Sequence, residues 1–274
     1  IMPKVVSIQL TSGPNIQANL YEVANYFKDI SKLKCQVVVL PENFAMMPEK
    51  DTDFIKNSEK EGEGPIQDFL IESAKKYNFW IIGGSIPIRK KNSKKVTATT
   101  FVYNNKGIVK GRYDKIHLFD VKLPNSDESY NESKVFSHGD KINVLQTPLG
   151  VTGLACCYDL RFPELFRLQH KYGVETFILP AAFTEQTGKI HWEMLVKARA
   201  IENLSYVVTS CQGGYHLNGR KTYGHSMIVN PWGQIIDKIN SGKGFISAEI
   251  NRKQLQLIRK NFPVLNHMRL MKKI

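Results

Sequence analysis

Three segments end an apolar run on a side chain able to move a proton, hold an anion or attack a carbonyl. Val37-Val38-Val39-Leu40-Pro41-Glu42 puts a carboxylate straight after a buried strand and a proline. Held in that turn and partly desolvated, Glu42 is expected to titrate high enough to serve as a general base. In Gly111-Arg112-Tyr113-Asp114-Lys115-Ile116-His117-Leu118, Lys115 follows a strand, and a fixed ammonium there can stabilise an oxyanion. In Gly150-Val151-Thr152-Gly153-Leu154-Ala155-Cys156-Cys157-Tyr158-Asp159, a strand runs into Cys157 and a helix is predicted to open on Asp159 as its N-cap. The positive end of that helix favours the thiolate of Cys157. A free thiol has a pKa of roughly 8.5, so it needs a base or a cation, and Glu42 and Lys115 are the right types. Alone, each has a plainer reading: a turn glutamate, a surface lysine, a small core cysteine. The plainer reading is preferred for Cys156.

Other chemistries lack their signatures. The seven histidines include no H-E-x-x-H and no pair four apart, which argues against a helical zinc site. Gly224-His225-Ser226-Met227-Ile228 lacks the closing glycine of a nucleophile elbow. No Walker A or G-x-G-x-x-G loop follows a strand.

Taken together, the motifs Leu40-Pro41-Glu42, Tyr113-Asp114-Lys115-Ile116-His117-Leu118 and Cys157-Tyr158-Asp159-Leu160-Arg161-Phe162-Pro163-Glu164 resemble the nitrilase superfamily of carbon–nitrogen hydrolases. The resemblance covers essentially the whole chain and keeps the order Glu, Lys, Cys. It implies an α/β fold, an α-β-β-α four-layer sandwich with two mixed sheets, over a single domain at 1–274. It implies catalysis by Cys157 as nucleophile, Glu42 as general base and acid, and Lys115 with the Tyr158 backbone N–H at the oxyanion. Glu132, in Asn131-Glu132-Ser133, fills the slot of the superfamily's second carboxylate and would position Lys115 and the substrate. Neither a metal nor an organic cofactor is implied.

Later segments resemble the Nit-type amidases, most specifically Gln212-Gly213-Gly214-Tyr215-His216 and Tyr223-Gly224-His225-Ser226 through Pro231-Trp232-Gly233. That branch cleaves deaminated glutathione to 2-oxoglutarate and cysteinylglycine. Its sister branch, the ω-amidases, takes 2-oxoglutaramate and other small ω-amides. A small anionic amide is the expected substrate in either case. Phe183 and Thr184 are expected at the pocket rim; Arg161 and Arg199 are candidate carboxylate partners, with a structural salt-bridge role the preferred reading for each. His191, Trp192 and Glu193 read as the start of a helix, and residues 212–223 as a loop over the site. A catalytically idle interaction protein on the same fold is the lesser alternative, opposed by four intact site residues.

The elements that must position these groups follow from hydrophobic period. Residues 4–10, 36–40, 79–88, 97–104 and 107–113 read as strands, and 15–33 and 65–77 as helices. In the second half, 141–147, 150–156, 175–179, 206–211, 225–230, 234–238 and 245–250 read as strands. Helices are predicted at 159–171, 190–203 and 252–260. So many strands suit two packed sheets better than one doubly wound sheet.

Composition agrees with this reading. The 274 residues are 42% hydrophobic and 23% charged, the mix of a globular chain. The net charge of +13 is mostly scattered lysine, with clusters near 89–95 and 252–274, so a nucleic-acid partner is not expected. No apolar run approaches the ~18 residues of a membrane span. Met2 reads as the native start with no signal peptide, and four cysteines without a C-x-x-C pair read as reduced thiols in the cytoplasm. Residues 252–274 are basic with spaced apolar residues, and are expected at a homodimer interface.

Overall fold

A computed structural model describes residues 2–124 and 128–270. Two mixed sheets form its centre. The seven-stranded sheet runs Gly244–Glu249, Lys4–Gln9, Val37–Val39, Trp80–Ile82, Val96–Tyr103, Ile86–Arg89, with Val109–Asp114 also paired to Val96–Tyr103. The six-stranded sheet runs Ile235–Lys238, Met227–Val229, Tyr206–Cys211, Thr176–Ala181, Gly150–Leu154, Val144–Thr147. In each sheet three central strands are parallel and an antiparallel strand closes an edge.

Alternation along Lys4–Gln9 sorts the layers, because successive side chains point to opposite faces. Val6 and Ile8 pack outward with Leu20, Val23 and Phe27 of the helix Ile16–Ile30 and Leu70 of the helix Pro65–Tyr77. Val5 packs inward with the core of the second sheet. Ser7 Oγ donates to the Thr209 carbonyl at 2.6 Å and Ser210 Oγ to the Ile8 carbonyl at 2.6 Å, which ties the sheets face to face. The helices Pro163–His170 and Glu185–Asn203 cover the second sheet through Phe166, Trp192, Val196 and Ala200. The expected α-β-β-α order is therefore present. No helix among the described residues is long and apolar enough to cross a membrane.

Several local expectations change. The helix predicted at 159–171 begins only at Pro163, preceded by a 3-10 turn, Cys157–Arg161. Phe162 stands before a proline, and the ring disfavours helical backbone there (φ −110°, ψ 88°). The helix predicted at 190–203 starts at Glu185, N-capped by Thr184. Polar Glu185, Gln186 and Thr187 hide its first turn from hydrophobic period. His191, Trp192 and Glu193 are thus interior to that helix. The segment 212–223 is in large part a hairpin, Gly213–Tyr215 with Lys221–Tyr223.

The strand predicted at 79–88 breaks at Gly83-Gly84. Gly84 has φ +57°, and a Cβ there would lie 2.1 Å from the Pro41 carbonyl oxygen. Only glycine allows that approach, and it fixes the turn carrying Glu42. The helix Arg252–Asn261 docks on its own chain: Arg252 Nη2 lies 2.9 Å from Glu175, and Arg259 Nε donates to the Leu204 carbonyl at 3.0 Å. Residues 271–274 of the expected interface segment lie outside the described residues.

Candidate active site

Glu42, Lys115 and Cys157 come from three strand ends and converge. Glu42 follows Val37–Val39 and Lys115 follows Val109–Asp114, both in the first sheet, while Cys157 follows Gly150–Leu154 in the second. All three are buried, at 4%, 2% and 7% exposure. Lys115 Nζ lies 2.8 Å from Glu42 Oε1 and 2.9 Å from both oxygens of Glu132. Glu132 is fixed in turn by the Phe119 N–H at 2.6 Å. The Cys157 thiol lines one cavity with Glu42 and lies close enough to feel its charge. Cys156 Sγ also reaches Glu42 Oε1, at 3.5 Å.

Two electrostatic expectations are corrected. Burial would raise the Glu42 carboxyl, but the adjacent Lys115 ammonium outweighs it and holds Glu42 below the usual carboxylate range. Burial does raise Glu132, and Lys115 only partly offsets it. The Cys157 thiol is not acidified. Burial and then the Glu42 charge push it well above an ordinary thiol, and Lys115 only partly opposes them. The α-helix that was to favour the thiolate starts six residues later, at Pro163. The resting site is therefore a thiol beside a carboxylate.

The turn holding Cys157 is built by Asp159. Its carboxylate accepts from the Cys156 N–H at 2.8 Å, the Tyr113 hydroxyl at 2.6 Å and the His117 N–H at 3.1 Å. Asp159 is thus an internal clasp across both sheets rather than the cap of an α-helix. Cys157 itself has φ +49°, a left-handed conformation that costs a non-glycine residue on the order of 1 kcal/mol. The Tyr158 N–H lies in the first turn of the 3-10 helix, where N–H groups lack intrahelical acceptors.

Cys157 opens on two cavities. The larger, about 120 Å³, is lined by Glu42, Lys115, Glu132, Tyr130 and Arg220. The smaller, about 10 Å³, is lined by Phe119, Tyr158, Arg161, Phe183 and Thr184. Phe183, Thr184 and Arg161 thus reach the place expected for them. Arg199 does not: it is buried, donating to the Leu160 carbonyl at 3.0 and 2.8 Å and to Glu202 at 2.9 Å. Trp192 packs on Phe183 with ring centroids 4.7 Å apart, and Glu193 pairs with Lys197 and Lys238. Among the described residues no group of three or more His, Cys, Asp or Glu is placed to hold a metal ion.

A family model, Carbon-nitrogen hydrolase, matches residues 4–260. The chain belongs to that family. This hydrolase is similar to a Yersinia enterocolitica protein named deaminated glutathione amidase, with 37% identity over 97% of this chain and 92% of that one. A human protein of the same name is 33% identical over 98% of this chain and 83% of that one. The solved structure of Saccharomyces cerevisiae Nit3, described as a member of branch 10 of the nitrilase superfamily, superposes with a TM-score of 0.86 at 31% identity. It spans 95% of this hydrolase and 94% of Nit3.

Sequence reading missed Arg220, Tyr130 and Phe119. Arg220 belongs to the 212–223 segment expected over the site, where it is the only arginine. Its approach to the cavity depends on the hairpin register, which pairs Tyr215 with Lys221.

Proposed function

We propose that this hydrolase is a thiol amidase acting on deaminated glutathione and releasing 2-oxoglutarate and cysteinylglycine. The observation that carries the reading is a buried thiol beside a carboxylate that is itself bonded to an ammonium, between two cavities. The relatives' names support the substrate. Glu42 takes the Cys157 proton as sulfur attacks the amide carbonyl. Lys115 Nζ and the Tyr158 N–H stabilise the oxygen that gains charge. Glu42 returns the proton to the leaving nitrogen, and the C–N bond breaks to leave a thioester. Glu42 then removes a proton from water, which adds to the thioester and frees the acid and the thiol. Glu132 holds Lys115 on station throughout. Arg161, Phe183 and Thr184 receive the keto-acid half.

The substrate is tested by comparing kcat/KM for deaminated glutathione and 2-oxoglutaramate, which release the same 2-oxoglutarate. The expected ratio is well above one. A ratio well below one makes the protein an ω-amidase and discards the substrate proposed here.

We also read residues 1–274 as one hydrolase domain that works as a homodimer in the cytoplasm. Four unpaired, buried cysteines support a reducing location. Leu257 and Phe262, exposed at 57% and 46% on the C-terminal segment, support a covered face there. Sedimentation at micromolar concentration is expected to give twice the chain mass, shifting to monomer in Leu257→Glu/Phe262→Glu. A monomeric wild-type protein removes the dimer.

A further inference from the structure

We infer that Arg220 binds a carboxylate on the leaving half of the substrate, so the site is built for amides of an amino acid or short peptide rather than primary amides. The inference rests on the amidase reading above. Arg220 lines the larger cavity together with Glu42 and Cys157. Its Nη2 donates to the Ala182 carbonyl at 2.5 Å, and its guanidinium sits 5.2 Å from the centroid of the Tyr130 ring. Ala182 lines the smaller cavity together with Cys157, so Arg220 is fixed to a neighbour of the nucleophile.

Among the described residues no carboxylate lies within ion-pair distance of Arg220, and its buried Nε has no hydrogen-bond partner. The cavity's other cation, Lys115, is already bonded by Glu42 and Glu132. A held, half-buried guanidinium with an unused donor is a seat for a planar anion, which its fork can grip through two hydrogen bonds.

Proton delivery decides which half of the substrate lies there. Glu42 must reach the leaving nitrogen, so the leaving group occupies the cavity that Glu42 lines. The acyl half then lies across Cys157, with Phe183, Thr184 and Arg161. Two guanidinium groups, one in each cavity that Cys157 lines, match a substrate with an anionic group on each side of the scissile bond. A primary amide, which releases ammonia, leaves Arg220 without a ligand.

Three substrates sharing the 2-oxoglutaryl group test this: deaminated glutathione, its C-terminal glycinamide form and 2-oxoglutaramate. In the wild type, amidating the carboxylate should lower kcat/KM about 10- to 100-fold, mainly through KM, as expected for losing hydrogen bonds between charged groups. Arg220→Gln should lower kcat/KM for deaminated glutathione by a similar factor and become indifferent to amidation. Its kcat/KM for 2-oxoglutaramate should fall by a clearly smaller factor than for deaminated glutathione, since that substrate makes no such bond. Arg220→Lys should restore part of the loss. An equal loss on all three substrates, or a wild type indifferent to amidation, overturns the assignment of Arg220 while leaving the amidase reading intact. A wild type that turns over none of the three overturns the amidase reading and this inference with it.

Discussion

Cys157→Ala is expected to abolish turnover, lowering kcat by a factor on the order of 10⁴ to 10⁶, the scale seen when a nucleophile is deleted from a concerted site. The reason is positional. Two thiols lie near Glu42, but of the two only Cys157 lines both cavities where an amide can lie. Cys156, at 1% exposure, lines neither of these cavities. Cys156→Ala should therefore keep kcat within about tenfold, the loss reflecting a small core cavity beside the base. Intact-mass measurement of the enzyme quenched during turnover should find an acyl adduct in wild type and in Cys156→Ala, and none in Cys157→Ala. An essential Cys156 beside a dispensable Cys157 would place the nucleophile one residue earlier and sink the mechanism.

The strained φ of Cys157 fits that division of labour. A residue in the left-handed region turns the chain sharply at the strand end, so that consecutive side chains diverge. Asp159 holds the turn from beneath, through a carboxylate inside the protein at 0% exposure. These features were only half legible in the sequence. Apolar runs ending on Glu42, Lys115 and Cys157 told where three groups sit, because a strand end is read from hydrophobic pattern and a proline. Their convergence was not local information, since the strand before Lys115 is paired antiparallel and Cys157 comes from the other sheet. The helix at 163 was misplaced by four residues because Asp159 looks like a cap, while Pro163, the stronger local constraint, sets the actual start.

Charge states were less legible than positions. From the sequence Glu42 was expected high and Cys157 low, and both came out reversed. Each expectation used one neighbour: burial for Glu42, a helix end for Cys157. The folded site adds Lys115 at 2.8 Å to the first and a carboxylate to the second. Arg220 was invisible for a related reason, since nothing local distinguishes a cavity arginine from a surface one on a Gly-rich hairpin. Lys115 is where position and charge meet.

Lys115→Met keeps most of the side-chain volume and removes the charge that two buried carboxylates share. Two losses are expected together. The oxyanion loses a charged donor, lowering kcat by roughly 10³. The fold loses the partner of Glu42 and Glu132, which costs on the order of 3–5 kcal/mol for breaking a buried ion pair. The pH dependence separates this from ordinary packing damage. In the wild type, burial opposes the Lys115 charge, but Glu132 and Glu42 hold it well above an ordinary lysine. Glu42, held below its unfolded value, contributes stability above pH ~4.3 that is lost as pH falls. Without Lys115, burial and mutual repulsion raise the carboxylate pair above that value, so the folded variant takes up a proton that the unfolded chain has released. Its stability then falls as pH rises through the raised window and recovers in mild acid. Chemical denaturation of both proteins at pH 5 and pH 8 should find the variant's deficit smaller at pH 5. An equal deficit at both pH values would mean the carboxylates do not depend on Lys115 for their charge. A kcat within tenfold of wild type would remove the lysine from the oxyanion.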